Sequence, residues 1–242
     1  MITAHTSPLE ITEQNRITEH VFNRFGINPH NTDRIYDNTA LIEINPDFLV
    51  DVLNVFCNHK EMKYNLFEKY PVPILVDYLK RSHTYYVEKI LPEIGQSITI
   101  LLHNYHKTHP LLGILYRFYF NYKTDLQCHF KEEEELLFPY ANRLYRTVYF
   151  KTEIYFFIEL LQQFSVTRFV ENHSDTVEDL ITIRKVLLEY APPLTNETSY
   201  RILVEQLKNF EFDLNIHAFI EDKVLVPKLF QLEQNVKSQI NN

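Results

Sequence analysis

The stretch Asp125-Leu-Gln-Cys-His129-Phe-Lys-Glu-Glu133-Glu-Glu-Leu-Leu137-Phe-Pro139 returns in register as Asp213-Leu-Asn-Ile-His217-Ala-Phe-Ile-Glu221-Asp-Lys-Val-Leu225-Val-Pro227. Both copies follow D-L-x-x-H-x-x-x-E-x-x-x-L-x-P. Residues four apart lie one turn apart on the same face of a helix. Each copy therefore presents an imidazole beside a carboxylate, with an aspartate one turn earlier. The stripe they share is apolar: Leu126, Phe130, Leu137 and Tyr140 in the first copy, Leu214, Leu225 and Leu229 in the second. A histidine and a glutamate on a core stripe need partners, because an unpaired buried charge is very costly. Two such pairs facing each other across a helical bundle make a metal site.

The rest of the composition agrees with helices. In 242 residues there are three Gly and no Trp, against 18 Phe and 16 Tyr. Gly punctuates turns and strand bends, so its scarcity fits long helices with aromatic packing and not a mostly β protein. The length suffices for one good-sized core with a small appended unit. A net charge of −8 without a Lys/Arg-rich stripe argues against a nucleic-acid partner. No apolar run approaches the ~20 residues needed to span a bilayer, and the first residues lack a signal-peptide core. Two cysteines, Cys57 and Cys128, do not make a disulfide framework and fit a reducing cytoplasm. The expectation is an all-α cytoplasmic protein, monomeric or homodimeric, with no membrane partner.

Along the chain, residues 1–70 read as a small helical N-terminal segment. Turn-forming clusters (Asn28-Pro29-His30-Asn31-Thr32-Asp33 and Asn45-Pro46-Asp47) surround short helical patterns near 12–25 and 46–58. Asn45 before Pro46 has the form of a helix cap with Pro at the first helical position. Pro71 and Pro73 close this segment. Residues 71–235 then carry four long patterns. The first runs from Ile74 to about His106 and is interrupted only by Pro92, which kinks or breaks a helix. The second runs from Leu111 to Tyr140 after a turn at His109-Pro110. The third spans about 166–190 and stops at Pro192-Pro193. The fourth spans about 198–232, with Pro227 near its end. The aromatic stretch 141–165 is a continuation or an extra segment on the bundle. Four long helices with modest connections predict an up-down-up-down four-helix bundle.

One candidate histidine on each long helix falls at near-constant spacing: His83, His129, His173 and His217, separated by 46, 44 and 44 residues. Equal spacing in an up-down bundle puts all four at one level. With Glu133 and Glu221 they form four imidazoles and two carboxylates, a set suited to iron or manganese and with less preference to zinc. Asp125 and Asp213, one turn before their histidines, are placed to orient the rings. A lone core histidine is ordinarily just hydrogen-bonded, which is the bland alternative for His83 and His173; the repeated pairs reverse that ordering. Of the run Glu132–Glu135, Glu133 alone is expected to turn inward. His103, His106 and His109 read as a polar helix end, Cys128 as a packing residue and Asp175 as exposed.

At these residues the chain resembles the hemerythrin-like superfamily, and within it the RIC proteins (repair of iron centres). The resemblance runs from about Pro71 to Leu232. The two H-x-x-x-E segments that end in Phe138-Pro139 and Val226-Pro227 are similar to the family's second- and fourth-helix segments. Glu171-Asn-His173-Ser-Asp175, followed by Glu178 and Leu180, is similar to the third-helix histidine segment. His83-Thr-Tyr-Tyr-Val-Glu-Lys-Ile-Leu-Pro92-Glu is similar to the first; there the family often has two adjacent histidines and this chain has one. RIC proteins also carry paired cysteines in an N-terminal segment. Phe22-Asn-Arg-Phe25-Gly26-Ile27-Asn28-Pro29-His30 is similar to the approach to that motif, but neither cysteine is present.

The resemblance implies a non-haem di-iron centre in a four-helix bundle. Two iron ions would share an oxo or hydroxo bridge and the bridging carboxylates of Glu133 and Glu221, with His83, His129, His173 and His217 as terminal ligands. Manganese or zinc are possible substitutes. It implies a stress-response role, either iron–sulfur cluster repair with an iron–sulfur protein as partner, or handling of O2, NO or peroxide. The alternative is a di-iron redox sensor or interaction module without turnover; a third is a bundle whose site is vestigial.

Overall fold

The computed structural model describes residues 2–42, 44–57, 64–110, 112–151, 165–172, 176–189 and 197–240. Every regular element among them is a helix, so the chain is all-α as its composition predicts. The chain divides into two compact units, Met1–Tyr85 with Ile216–Asn242, and Tyr86–Asn215.

The first unit opens with four short helices: α1 (Pro8–Gln14), α2 (Thr18–Arg24), α3 (Ile35–Leu41) and α4 (Pro46–Cys57). Sequence signals explain their starts. Ser7 and Glu10 exchange hydrogen bonds as a capping box ahead of α1, with Pro8 at its first position. The Asn45 side chain accepts from the Phe48 N–H at 3.0 Å, the cap expected before Pro46. After α2 the chain reverses at Gly26, whose φ of +70° is the left-handed conformation that glycine takes without a Cβ penalty. The region 12–25 thus holds parts of two helices separated at Asn15, not one.

Two further helices of this unit, α5 (Tyr64–Glu68) and α6 (Val72–Tyr85), follow. Phe22, Phe48, Phe56, Phe67 and Tyr78 are among its fully buried side chains. Arg24 lies in this core. Its guanidinium sits 5.1 to 5.9 Å from the ring centroids of Tyr78, Tyr85 and Phe56, and its Nη1 donates to the Tyr78 hydroxyl at 2.8 Å. A cation stacked on aromatic faces and hydrogen-bonded can be buried where a bare charge cannot.

The second unit contains α7 (Leu91–Tyr105), α8 (Leu112–Glu132), α9 (Phe138–Phe150), α10 (Val166–Asn172), α11 (Thr176–Glu189) and most of α12 (Glu197–Ile220). A short turn joins α7 to α8, and the two pack along their length. Tyr119 on α8 donates its hydroxyl to the Leu91 carbonyl at 2.5 Å. Its ring passes beside Gly95, where an added Cβ would come 3.4 Å from the Tyr119 ring. Arg184 on α11 clasps Glu211 on α12 with two nitrogens, at 2.5 and 3.2 Å. The last helix, α13 (Val226–Ile240), returns to the first unit.

The prolines do not break the long helices. Tyr86–Ile90 joins α6 to α7, Glu133–Leu137 joins α8 to α9, and Glu221–Leu225 joins α12 to α13; each joint is a π-helical segment. Each ends two residues before a proline, Pro92, Pro139 or Pro227. Proline lacks an N–H and its ring collides with the carbonyl four residues back. Widening the helix by one residue passes that obstruction: the Phe138 N–H reaches the Glu133 carbonyl and the Val226 N–H reaches the Glu221 carbonyl, each five residues back. The expected interruption at Pro92 is therefore a π turn within continuous helix 72–105. The fourth helix likewise runs on to residue 240 instead of ending near 232.

Candidate metal centre

The apolar stripe of the repeat is core: Leu126, Phe130, Leu137, Tyr140, Leu214, Leu225 and Leu229 are all buried. That burial carries the ionisable residues of the same face inward. Glu133 is fully buried while Glu132 and Glu135 are exposed, the inward turn expected of that single member of the run.

In the first unit, His83 stands in the last turn of α6 and His217 near the end of α12, both buried. Their Nε2 atoms face each other at 3.3 Å, with ring centroids 4.9 Å apart and planes inclined at 46°. The carboxylate of Glu221, first residue of its π segment, lies 3.5 Å from the His217 Nε2. Two nitrogens each about 2.1 Å from one ion would lie about 3.0 Å apart at a right angle and about 3.4 Å apart at the tetrahedral angle. The observed separation falls in that span, and two buried imidazole nitrogens at this distance suit a first-row metal ion.

In the second unit, the Nε2 of His129 lies 2.6 Å from Glu133 Oε1. A carboxylate oxygen and an unprotonated imidazole nitrogen both accept, so at this distance either the ring nitrogen carries a hydrogen and donates it, or a metal ion lies between the two atoms. The two copies differ in exposure. The side chain of His129 keeps 13% of its surface exposed against 3% for His217, so the first copy is the one open to water.

The two aspartates also part company. Asp213 is fully buried and accepts from the Tyr86 hydroxyl at 2.6 Å. Asp125, its counterpart, is exposed on α8, and its side chain has no hydrogen bond or ion pair among the described residues. Cys128 is exposed, not a packing residue: its direction about 100° from His129 points it to solvent. His103 and His106 are exposed at the end of α7, the polar helix end expected. His173 and Asp175 lie outside the described residues.

Tyr86 is the residue the sequence pattern missed. The signal that finds it is the count back from proline. Tyr86 stands six residues before Pro92, as Glu133 stands before Pro139 and Glu221 before Pro227.

No family model matches the chain. A near-full-length relative does. The iron-sulfur cluster repair protein ScdA of Staphylococcus haemolyticus is 23% identical over 231 residues, which cover 94% of this chain and 99% of that protein. Over nearly its whole length the chain is thus similar to an iron–sulfur cluster repair protein, in keeping with its resemblance to the RIC group of the hemerythrin-like superfamily.

Proposed function

We propose that this chain is a cytoplasmic non-haem di-iron protein acting in iron–sulfur cluster repair under nitrosative or oxidative stress. The observation that carries it is the near-full-length similarity to a protein named for that task. The facing imidazoles of His83 and His217, the His217–Glu221 contact and the His129–Glu133 pair support it independently. In this proposal His83, His129, His173 and His217 would be the terminal ligands, and Glu133 and Glu221 would bridge the two ions. Manganese and zinc remain substitutes that the same donors accept.

When bound, the ions supply redox chemistry and positions for small ligands such as O2, NO or peroxide. The chain supplies geometry and dryness. Glu133 and Glu221 bring buried negative charge that offsets the cations, a burial that is costly without them. Leu126 and Leu137 flank the first pair, and Leu214 and Leu225 the second, as buried apolar side chains of the same helices.

The test is metal content per chain and the visible spectrum of protein from iron-replete cells, followed by iron transfer to a damaged iron–sulfur protein. About two irons per chain, as in di-iron carboxylate bundles, with recovery of the damaged cluster, is the expected result. Metal-free protein that takes up no ferrous iron anaerobically overturns it. One observation favours a second reading, a redox sensor or interaction module: the chain's two cysteines, Cys57 and Cys128, do not form the pair of the RIC proteins. A stable O2 adduct without iron transfer would select that reading.

A further inference from the structure

Counting back from the three prolines aligns three helices. Six residues before Pro139 and Pro227 stand the carboxylates Glu133 and Glu221; six before Pro92 stands Tyr86. All three begin π segments. The first helix thus carries a phenol in the place where the other two carry the proposed bridging ligands. That phenol is fully buried, with its ring packed on Phe130 (centroids 5.9 Å apart) and edge-on to Phe210 (5.3 Å). Its hydroxyl donates to Asp213 Oδ1 at 2.6 Å, and Asp213 is fully buried too.

The sequence positions give this bond its meaning. Tyr86 lies one turn after His83 on continuous helix, and Asp213 lies one turn before His217. The same two helices therefore meet in two successive turns, once through facing imidazoles at 3.3 Å and once through the phenol–carboxylate bond. A short hydrogen bond between two buried groups holds its partners closely. We propose that Tyr86 is a positioning residue of the metal centre. By holding Asp213, its hydroxyl fixes the separation of the helices that bear His83 and His217, and so the bite those imidazoles offer a metal ion. The proposal rests on the metal-centre function above and adds a residue that touches no metal.

The experiment is anaerobic titration of the full chain with Fe(II) against a chromophoric chelator, with Co(II) absorption as the signature of site geometry. Tyr86→Phe keeps the ring and removes only the hydroxyl. It is expected to bind Fe(II) about 10–100-fold more weakly, the loss typical of groups that orient metal ligands, and to alter the Co(II) spectrum. Asp213→Ala should lose as much, and Asp213→Asn, which restores an acceptor for the phenol, should recover part of it. Tyr119→Phe removes another buried hydroxyl, bonded to the Leu91 carbonyl, and should leave affinity and spectrum unchanged. Unchanged Fe(II) affinity and Co(II) spectrum in Tyr86→Phe overturn the proposal while leaving the metal centre standing. If Tyr86→Phe does not fold, Asp213→Asn no better than Asp213→Ala overturns it. An unmodified chain that binds neither ion overturns the metal centre and this proposal together.

Discussion

Glu133 and Glu221 hold equivalent places in two different helices. Each begins a π segment, and each carbonyl accepts the N–H of the residue just before a proline, Phe138 for one and Val226 for the other. The backbone at these two glutamates is thus set by a residue six positions downstream. An α-helical register at the same place would offer the carbonyl to a residue four positions on. The segment that carries the carboxylate is wide because the proline makes it so.

Replacing that proline tests the coupling. Pro227→Ala restores an N–H and removes the ring, so the segment can relax to α-helix. The unfolding free energy of the metal-free protein should not fall, since proline costs helix interiors about 3 kcal/mol. Metal affinity should drop by about tenfold, in the range of losses from misoriented ligands. Chelator competition and urea unfolding on the same preparation read both quantities; lost stability with intact affinity would contradict the coupling.

The exposure pattern of the acidic run makes a sharper contrast. Glu133→Ala or Glu221→Ala should abolish the two-metal centre. Glu132→Ala and Glu135→Ala, on the exposed face, should leave metal content unchanged and shift stability by no more than about 0.5 kcal/mol. Equal metal loss in all four variants, read by elemental analysis, would refute the assignment.

Arg24 is a test of the N-terminal helices. Arg24→Ala deletes a buried stack on three rings and the donor to Tyr78, and should cost about 2–4 kcal/mol. Arg24→Lys should recover little of this, because an ammonium lacks the flat guanidinium that stacks and bonds at once. Denaturant midpoints measured at unchanged slope decide the matter. A lysine variant as stable as the parent would show that charge alone suffices.

Gly95→Ala should stabilise the chain by about 0.5–1 kcal/mol, the helix preference of alanine over glycine. The new methyl would meet the Tyr119 ring at 3.4 Å and the Phe120 ring at 3.5 Å, which is contact and not collision. A lowered melting temperature would mean that these rings cannot give way at all.

Much of this was legible in the chain itself. The 3.6-residue periodicity and the scarcity of glycine announce helices, and the repeated H-x-x-x-E on an apolar stripe announces buried His–Glu pairs. Asn45 declares its cap because Pro46 follows it. What escaped were features that depend on the third dimension. Periodicity reads Asp125 and Asp213 alike, yet one faces solvent and the other is sealed beneath Tyr86. Cys128 next to a core histidine looked like packing, and a rotation of about 100° sends it outward. Pro92 reads as an interruption, and Pro227 as the approach to a helix end, because a pattern search has no means of inserting one residue into a turn. Tyr86 escapes the H-x-x-x-E pattern because it stands three residues after His83 and not four; only the count back from Pro92 aligns it with the two glutamates.

For protein engineering, the three π segments change what counts as the portable unit. A five-residue H-x-x-x-E graft on an ideal helix would carry the donors without the backbone that seats them. The transplantable cassette is the full eleven residues from histidine to proline, and its last member, chemically inert and remote from any ion, is the one a designer would be most tempted to discard.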